Sequence, residues 1–454
     1  MKNSKKILSA LLAVSMLSTF AACGQDDKPA NDGSGSAGGD TGDLSGKTIT
    51  FTMQKYGNDA SAQDKVLKEM TEAFKEETGI TVNYSIIDWG QALTKLTLAC
   101  TGGEAPDVAD AYFTSSFVTI GQGKYGPADV TNVFEELGGE DAYFEAAIDE
   151  VKIDGKIYGI PWRMDTRAMI YNKAHFEEAG ITEVPTTYDE LIEVAKKLTK
   201  TDANGNITRS GAVLPVGDAR FDQGWFSFLA GHGTSVMNED YTEFTFGGQE
   251  GIDAIQFMLD LINVHKVCTA NVIDPSFNSS TEYQAEKASI VLGANADFMT
   301  ALEANAPQLV DVTGSAVMPS LTGEGPSSVV FSAPICIMNS TKERAAAEEW
   351  LKYFCSKEGQ IKFCSSVNLI NSRKDVMEDE FYSSDFMKTY PEQAERAIYG
   401  DPAIPTWSQI DAFPNGPLNT MLTNIVGGAD IQTEVDNCLK QVQEIYDKGE
   451  VDLG

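Results

Sequence analysis

Between residues 47 and 110 the hydrophobic period switches back and forth four times, and few folds tolerate that pattern. Ile49, Phe51 and Met53 alternate with polar neighbours, the period of a half-buried strand. From about Ser61 to Thr78 the apolar residues Val66, Leu67, Met70, Ala73 and Phe74 share one helical face, and Gly79 stops the run. Ile80, Val82, Tyr84 and Ile86 return to a period of two. A second helix covers about Gln91 to Cys100, and Pro106-Asp107-Val108 opens a third strand. Strand, helix, strand, helix, strand calls for a parallel sheet with right-handed crossovers. The fold class is α/β.

The remaining chain continues in the same manner, without an internal repeat and with more than one sheet expected. Asp154-Gly155 suits the tight turn of a hairpin over residues 151–158. A strand through Met169, Ile170 and Tyr171 leads into a helix from His175 to Ala179 that ends at Gly180. Thr187 and Glu190 form a capping box, and Ser340 and Glu343 suggest a second one ahead of a helix through Phe354. Helices are also expected over about Gln249 to Val264 and Ile431 to Tyr446.

The N-terminus speaks to location. Lys2, Lys5 and Lys6 precede an apolar run from Ile7 to Ala22, which is a secretion signal in form and too short to span a bilayer. Phe20-Ala21-Ala22-Cys23 resembles the bacterial lipobox, which implies lipidation of Cys23 after cleavage of residues 1–22. The Gly-, Ser- and Asp-rich tract that follows offers little apolar surface, so residues 23–45 read as an anchored linker reaching about 25 Å. The expected address is the outer face of a Gram-positive cell membrane.

The formal charge of −33 repels nucleic acid and anionic lipid. Six further cysteines, Cys100, Cys268, Cys336, Cys355, Cys364 and Cys438, contain no CxxC; Cys355 and Cys364 are the pair to consider if any bridge forms. Asp202-Ala-Asn204-Gly205-Asn206 begins like a calcium loop, but Val213 stands where the bidentate Glu belongs, so a simple turn is expected. No cofactor and no metal are proposed. GxSxG, HExxH and phosphate-loop motifs are missing, and the three histidines are His175, His232 and His265.

Six segments resemble, in order, the family 1 extracellular solute-binding proteins, the maltose-binding-protein-like receptors of ABC importers. They are KEETGITVNYSI (75–86), GGEAPDVADAYF (102–113), DGKIYGIPWRMDTRAMIYNKAHFEEAGI (154–181), VPTTYDELIEVAKKL (184–198), AEKASIVLGANADF (285–298) and SVVFSAPICIMNSTKERAAAEEWLKYF (328–354). The resemblance implies a two-lobed periplasmic-binding-protein fold of type II, with hinge strands and a ligand cleft between the lobes. One lobe would comprise 46–160 with 317–368, the other 161–316 with 369–454. It further implies a monomeric, non-enzymatic receptor that captures a sugar or oligosaccharide and delivers it to ABC permease subunits. The alternatives are a secreted glycoside hydrolase, or the same fold serving a non-sugar solute or a membrane sensor.

Sugars present apolar C–H faces and hydroxyls, so aromatic rings beside paired polar groups at the carboxyl ends of strands are the features to seek. In the first lobe these are Tyr56, Trp89, Asp110, Tyr112 and Thr114, followed by Trp162 and Asp165 at the first crossover. In the second they are Arg220, Asp222, Gln223, Trp225, Asn295, Asp297 and Trp407. Asp107 and Tyr171 are expected to be structural.

Overall fold

The computed structural model describes residues 43–56, 60–112, 117–118, 124–214, 221–273, 277–412 and 415–449. The signal, Cys23 and the linker up to residue 42 lie outside the described residues, as do Thr114 and Arg220. Residues from Leu44 onward form one compact unit.

Strand β1 (Thr48–Gln54) pairs in parallel with β2 (Thr81–Ile87) from Thr48↔Thr81 to Gln54↔Ile87, and on its other side with β3 (Val108–Asp110). Helices Ala60–Thr78 and Trp89–Gly102 make the two crossovers. The expected alternation is realised: Ile49, Phe51 and Met53 are buried. Asp107 is structural, as expected, its carboxylate accepting from the Thr50 amide at 2.8 Å and the Thr341 hydroxyl at 2.6 Å.

The hairpin of β4 (Lys152–Ile153) and β5 (Lys156–Ile157) turns on Asp154 at φ 50° and Gly155 at φ 74°, the left-handed pair that a two-residue turn requires. Strand β6 (Ile160–Thr166) then crosses the molecule, and Arg167 joins it to β7 (Ala168–Asn172) in a second sheet. A small hairpin, β8 (Lys200–Thr201) with β9 (Ile207–Arg209), encloses the Asp202 turn; that carboxylate accepts from the amides of Asn204 and Asn206. Strands β10 (Ile290–Ala294) and β11 (Thr313–Ala316) flank β7 antiparallel. The chain returns along β12 (Ser328–Ile337), every residue of which is buried, and adds β13 (Ile370–Asn371) and β14 (Ala397–Tyr399). The large sheet runs β13-β6-β12-β3-β1-β2, with β14 also pairing β12.

Strands β6 and β12 feed two cores. Ile160, Trp162, Ala333, Ile335 and Ile337 pack with Ile49, Phe51, Trp350 and Phe354. Met164, Val329, Val330 and Phe331 pack with Trp225, Phe226, Leu292 and Trp407. Thr166 donates to the Val329 carbonyl at 2.8 Å and Ser328 to the Arg167 carbonyl at 2.7 Å, fastening the two strands at the end that enters the second core.

The Thr187–Glu190 capping box forms in full. The one expected at Ser340 and Glu343 does not: Glu343 is the N-cap of helix Arg344–Phe354 without a side-chain cap, and the Glu343 amide donates to the Thr341 hydroxyl instead. The six described cysteines are free, buried thiols, so the Cys355–Cys364 bridge is absent. Burial pushes the Cys100 thiol up to about 11, as befits an apolar packing residue. His175 is buried beside Ser289, and burial followed by Arg209 lowers it to about 4. His232 sits in the turn after helix Phe221–Gly231, but buried, its Nδ1 facing the Phe228 carbonyl at 2.7 Å.

Candidate functional site

The first three strands present Tyr56, Trp89, Asp110 and Tyr112 at or just past their carboxyl ends. Tyr56 is covered: its hydroxyl donates to Asp110 at 2.5 Å and its amide to Gln63 at 2.8 Å. Asp110 is 3% exposed. Burial pushes its carboxyl up to about 7 against the Tyr56 hydrogen bond and the Arg163 charge.

Trp89 is open, with 40% of its surface exposed. Tyr56 and Tyr112 meet it edge-on, with ring centres at 5.3 and 5.6 Å. The Arg163 guanidinium lies 4.7 Å from the Tyr56 ring centre and 5.7 Å from that of Trp89. The ring is therefore fixed from two sides by edges and a cation while part of it faces solvent.

On β6 and the joint beyond it, Arg163, Asp165 and Arg167 alternate, which puts them on one face. Asp165 is half-buried, 2.6 Å from Arg167 and 3.9 Å from Arg163. Arg167 also donates to Gln223 at 2.5 Å, near the start of helix Phe221–Gly231. Asn295 and Asp297 follow β10 and are half-buried. One carboxyl oxygen of Asp297 is buried without a hydrogen-bond partner. Burial, then the Asp165 charge, raises this carboxyl to about 6, with Arg163 and Arg167 opposing.

The three other tryptophans proposed for the cleft are core residues. Trp162, Trp225 and Trp407 are each 0% exposed. Trp162 lies edge-on to Tyr56 and Phe363 at 5.0 and 5.1 Å, and Trp225 packs on Phe226 and Phe246, both at 5.6 Å. Trp407 donates its indole N–H to Asp401 at 2.7 Å. Asp222 is likewise internal, accepting from Asn419 at 2.7 Å. The structure thus brings together Trp89, Tyr112, Asp165, Gln223 and Asp297, with Tyr56 and Asp110 as buried support and Asn295 two residues before Asp297. Arg163, Arg167 and Asp401 were missed. The two arginines had a signal, their spacing of two from Asp165 on a strand; Asp401 had none.

Such a constellation offers a ring platform beside a row of donors and acceptors, which suits a neutral polyhydroxylated ligand. It also makes a statement about pH. The raised carboxyls of Asp110 and Asp297 favour the folded state fully below the unfolded pKa near 4, and that contribution is lost as pH rises through about 6 to 7. Asp110→Asn, which is neutral throughout, should therefore gain in melting temperature relative to wild type between pH 5 and pH 8. A constant difference across that range would mean that Asp110 titrates normally.

Residues 58–361 match the family described as bacterial extracellular solute-binding protein. The diacetylchitobiose binding protein of Streptomyces coelicolor is 25% identical over 449 residues, covering 95% of this chain and 97% of that one. The sugar-binding protein MalE of Xanthomonas citri superposes with a TM-score of 0.75 at 19% identity, over 88% of this chain and 98% of its own. A solute-binding protein of Thermotoga lettingae bound with alpha-D-tagatose gives 0.71 at 21%, over 88% and 100%. These neighbours share the two-lobed α/β architecture, and the family is one of binding proteins. Among the described residues no helix is long and apolar enough to cross a membrane.

Proposed function

The chain belongs to the bacterial extracellular solute-binding proteins, and on that footing we propose that it captures a carbohydrate between its two lobes and delivers it to an ABC transporter permease. The observation that carries this reading is Trp89, open on its ring and held between Tyr56 and Tyr112, beside the row Arg163, Asp165, Arg167 and Gln223. The stacking ring would take the apolar face of a sugar. Asp165, Asn295 and Asp297 would accept from its hydroxyls. Thr114 and Arg220 remain candidates from the sequence.

The lobes in this reading comprise 46–160 with 317–368 and 161–316 with 369–454, and β6 and β12 form the hinge about which they close. Ligand contacts both lobes only when they are shut, so its binding energy shifts the open–closed equilibrium. The protein acts as a monomer without covalent chemistry, anchored through lipid on Cys23 to the outer face of a Gram-positive membrane. Similar proteins include a diacetylchitobiose binding protein and an arabinooligosaccharide-binding protein, which favours a sugar over other solutes.

Thermal unfolding of residues 46–454 against a panel of mono- and oligosaccharides tests this. A ligand at about 100 times its dissociation constant should stabilise by roughly 2.7 kcal/mol. A shift with one sugar class and no released product supports the receptor. Consumption of the sugar would make it a hydrolase, and a flat panel would remove the carbohydrate reading.

A further inference from the structure

Tyr112 stands two residues beyond β3, whose Val108 belongs to the core around Trp350, yet its ring packs against the other core. Its hydroxyl donates to Asp401, which stands two residues past β14. Asp401 is 2% exposed, and its other carboxylate oxygen accepts from the Trp407 indole. Trp407, like its neighbours Ile404 and Ile410, belongs to the second core. One buried carboxylate thus takes a donor from each side of the molecule.

We propose that Asp401 is a positioning residue that clasps the two lobes and holds Tyr112 against Trp89 before any ligand arrives. The proposal rests on the two-lobe reading of the site but not on the identity of the ligand. A hydroxyl bonded to a carboxylate shielded from water is a comparatively strong interaction, because little solvent competes for either partner. Trp407 fixes the carboxylate so that its second oxygen points where Tyr112 arrives. Because this bond needs no sugar, it raises the fraction of unliganded protein already in the binding-competent arrangement. Apparent affinity scales with that fraction. The same bond sets the Tyr112 edge on which Trp89 rests, at 5.6 Å.

The test is the distance distribution, in the absence of sugar, between fluorophores on Lys75→Cys and Glu303→Cys, both exposed positions on opposite sides of the hinge strands. Tyr112→Phe keeps the ring and removes only the donor. It should shift the ligand-free distribution to longer distances and weaken binding about 5- to 20-fold. Trp407→Phe removes the indole donor that orients Asp401, so it should lower the melting temperature and lengthen the ligand-free distance in the same sense as Tyr112→Phe. An unchanged ligand-free distribution in Tyr112→Phe overturns the clasp. If affinity alone falls, the hydroxyl touches the ligand directly, and the clasp is wrong while the binding reading stands. A lengthened distance in a protein that binds no sugar upholds the clasp and sinks the carbohydrate reading instead.

Discussion

Trp162→Ala should cost about 3–5 kcal/mol of unfolding free energy, the range for truncating a fully buried large aromatic. The indole is 0% exposed and sits among Tyr56, Phe354 and Phe363, with ring centres 5.0 to 5.8 Å away. Its removal would leave a cavity beneath Tyr56, because that ring rests on it edge-on. The carboxylate that Tyr56 holds, Asp110, and the guanidinium stacked on Tyr56, Arg163, would both lose their support. Denaturant titration followed by circular dichroism reads the effect directly. A change under about 1 kcal/mol would show that the indole is not packed as described. The sequence offers Trp162 as a ligand contact; in the structure the ring lies in the core, so stability is what falls first.

The opposite outcome belongs to Trp89→Ala. With 40% of its surface exposed, the ring contributes little to the core, and the melting temperature should move by less than a few degrees. Its stacking face and its contact with the Arg163 cation are what a sugar would use. Loss of about 1.5–3 kcal/mol of binding energy is expected, a fall in affinity of about 10- to 100-fold by calorimetric titration. Trp89→Phe should recover part of it, since a smaller ring keeps the stacking geometry. Unaltered affinity in Trp89→Ala would place the ligand elsewhere.

These two tryptophans show where sequence reading stops. The first strand–helix–strand–helix–strand run, the Asp154-Gly155 turn, the Thr187 capping box and the helix ending at Tyr446 are local patterns, and each appears in the structure. Whether a tryptophan faces the core or a cleft is decided by its partners across the sheet. Trp162 and Arg163 are neighbours in sequence, yet the pleat of β6 sends one into the core and leaves the other beside Trp89. A shift of one residue in the pairing of β6 with β12 would exchange them, and nothing within residues 160–166 specifies that pairing. The cap at Ser340 failed for a related reason: Thr341 is tied to Asp107 in another part of the chain, and the helix starts from that tether. The polar row at 163, 165 and 167 was within reach of simple alternation. Asp401 was not, since its meaning comes from Tyr112, far away in sequence.

The shared strand β12 also bears on how such a chain can become folded at all. Its Ile335, Cys336 and Ile337 supply the antiparallel neighbour of β3 in the large sheet, and they come long after β3 in the chain. A polypeptide emerging N-terminus first would hold β1, β2 and β3 with an open edge until that strand arrived, and β13 and β14 would join later still. Long-range pairing of this kind makes folding slow. For a member of an extracellular family that slowness has a use, because β1 to β3 stay unlocked while the whole stretch between Asp110 and Ser328 is being made.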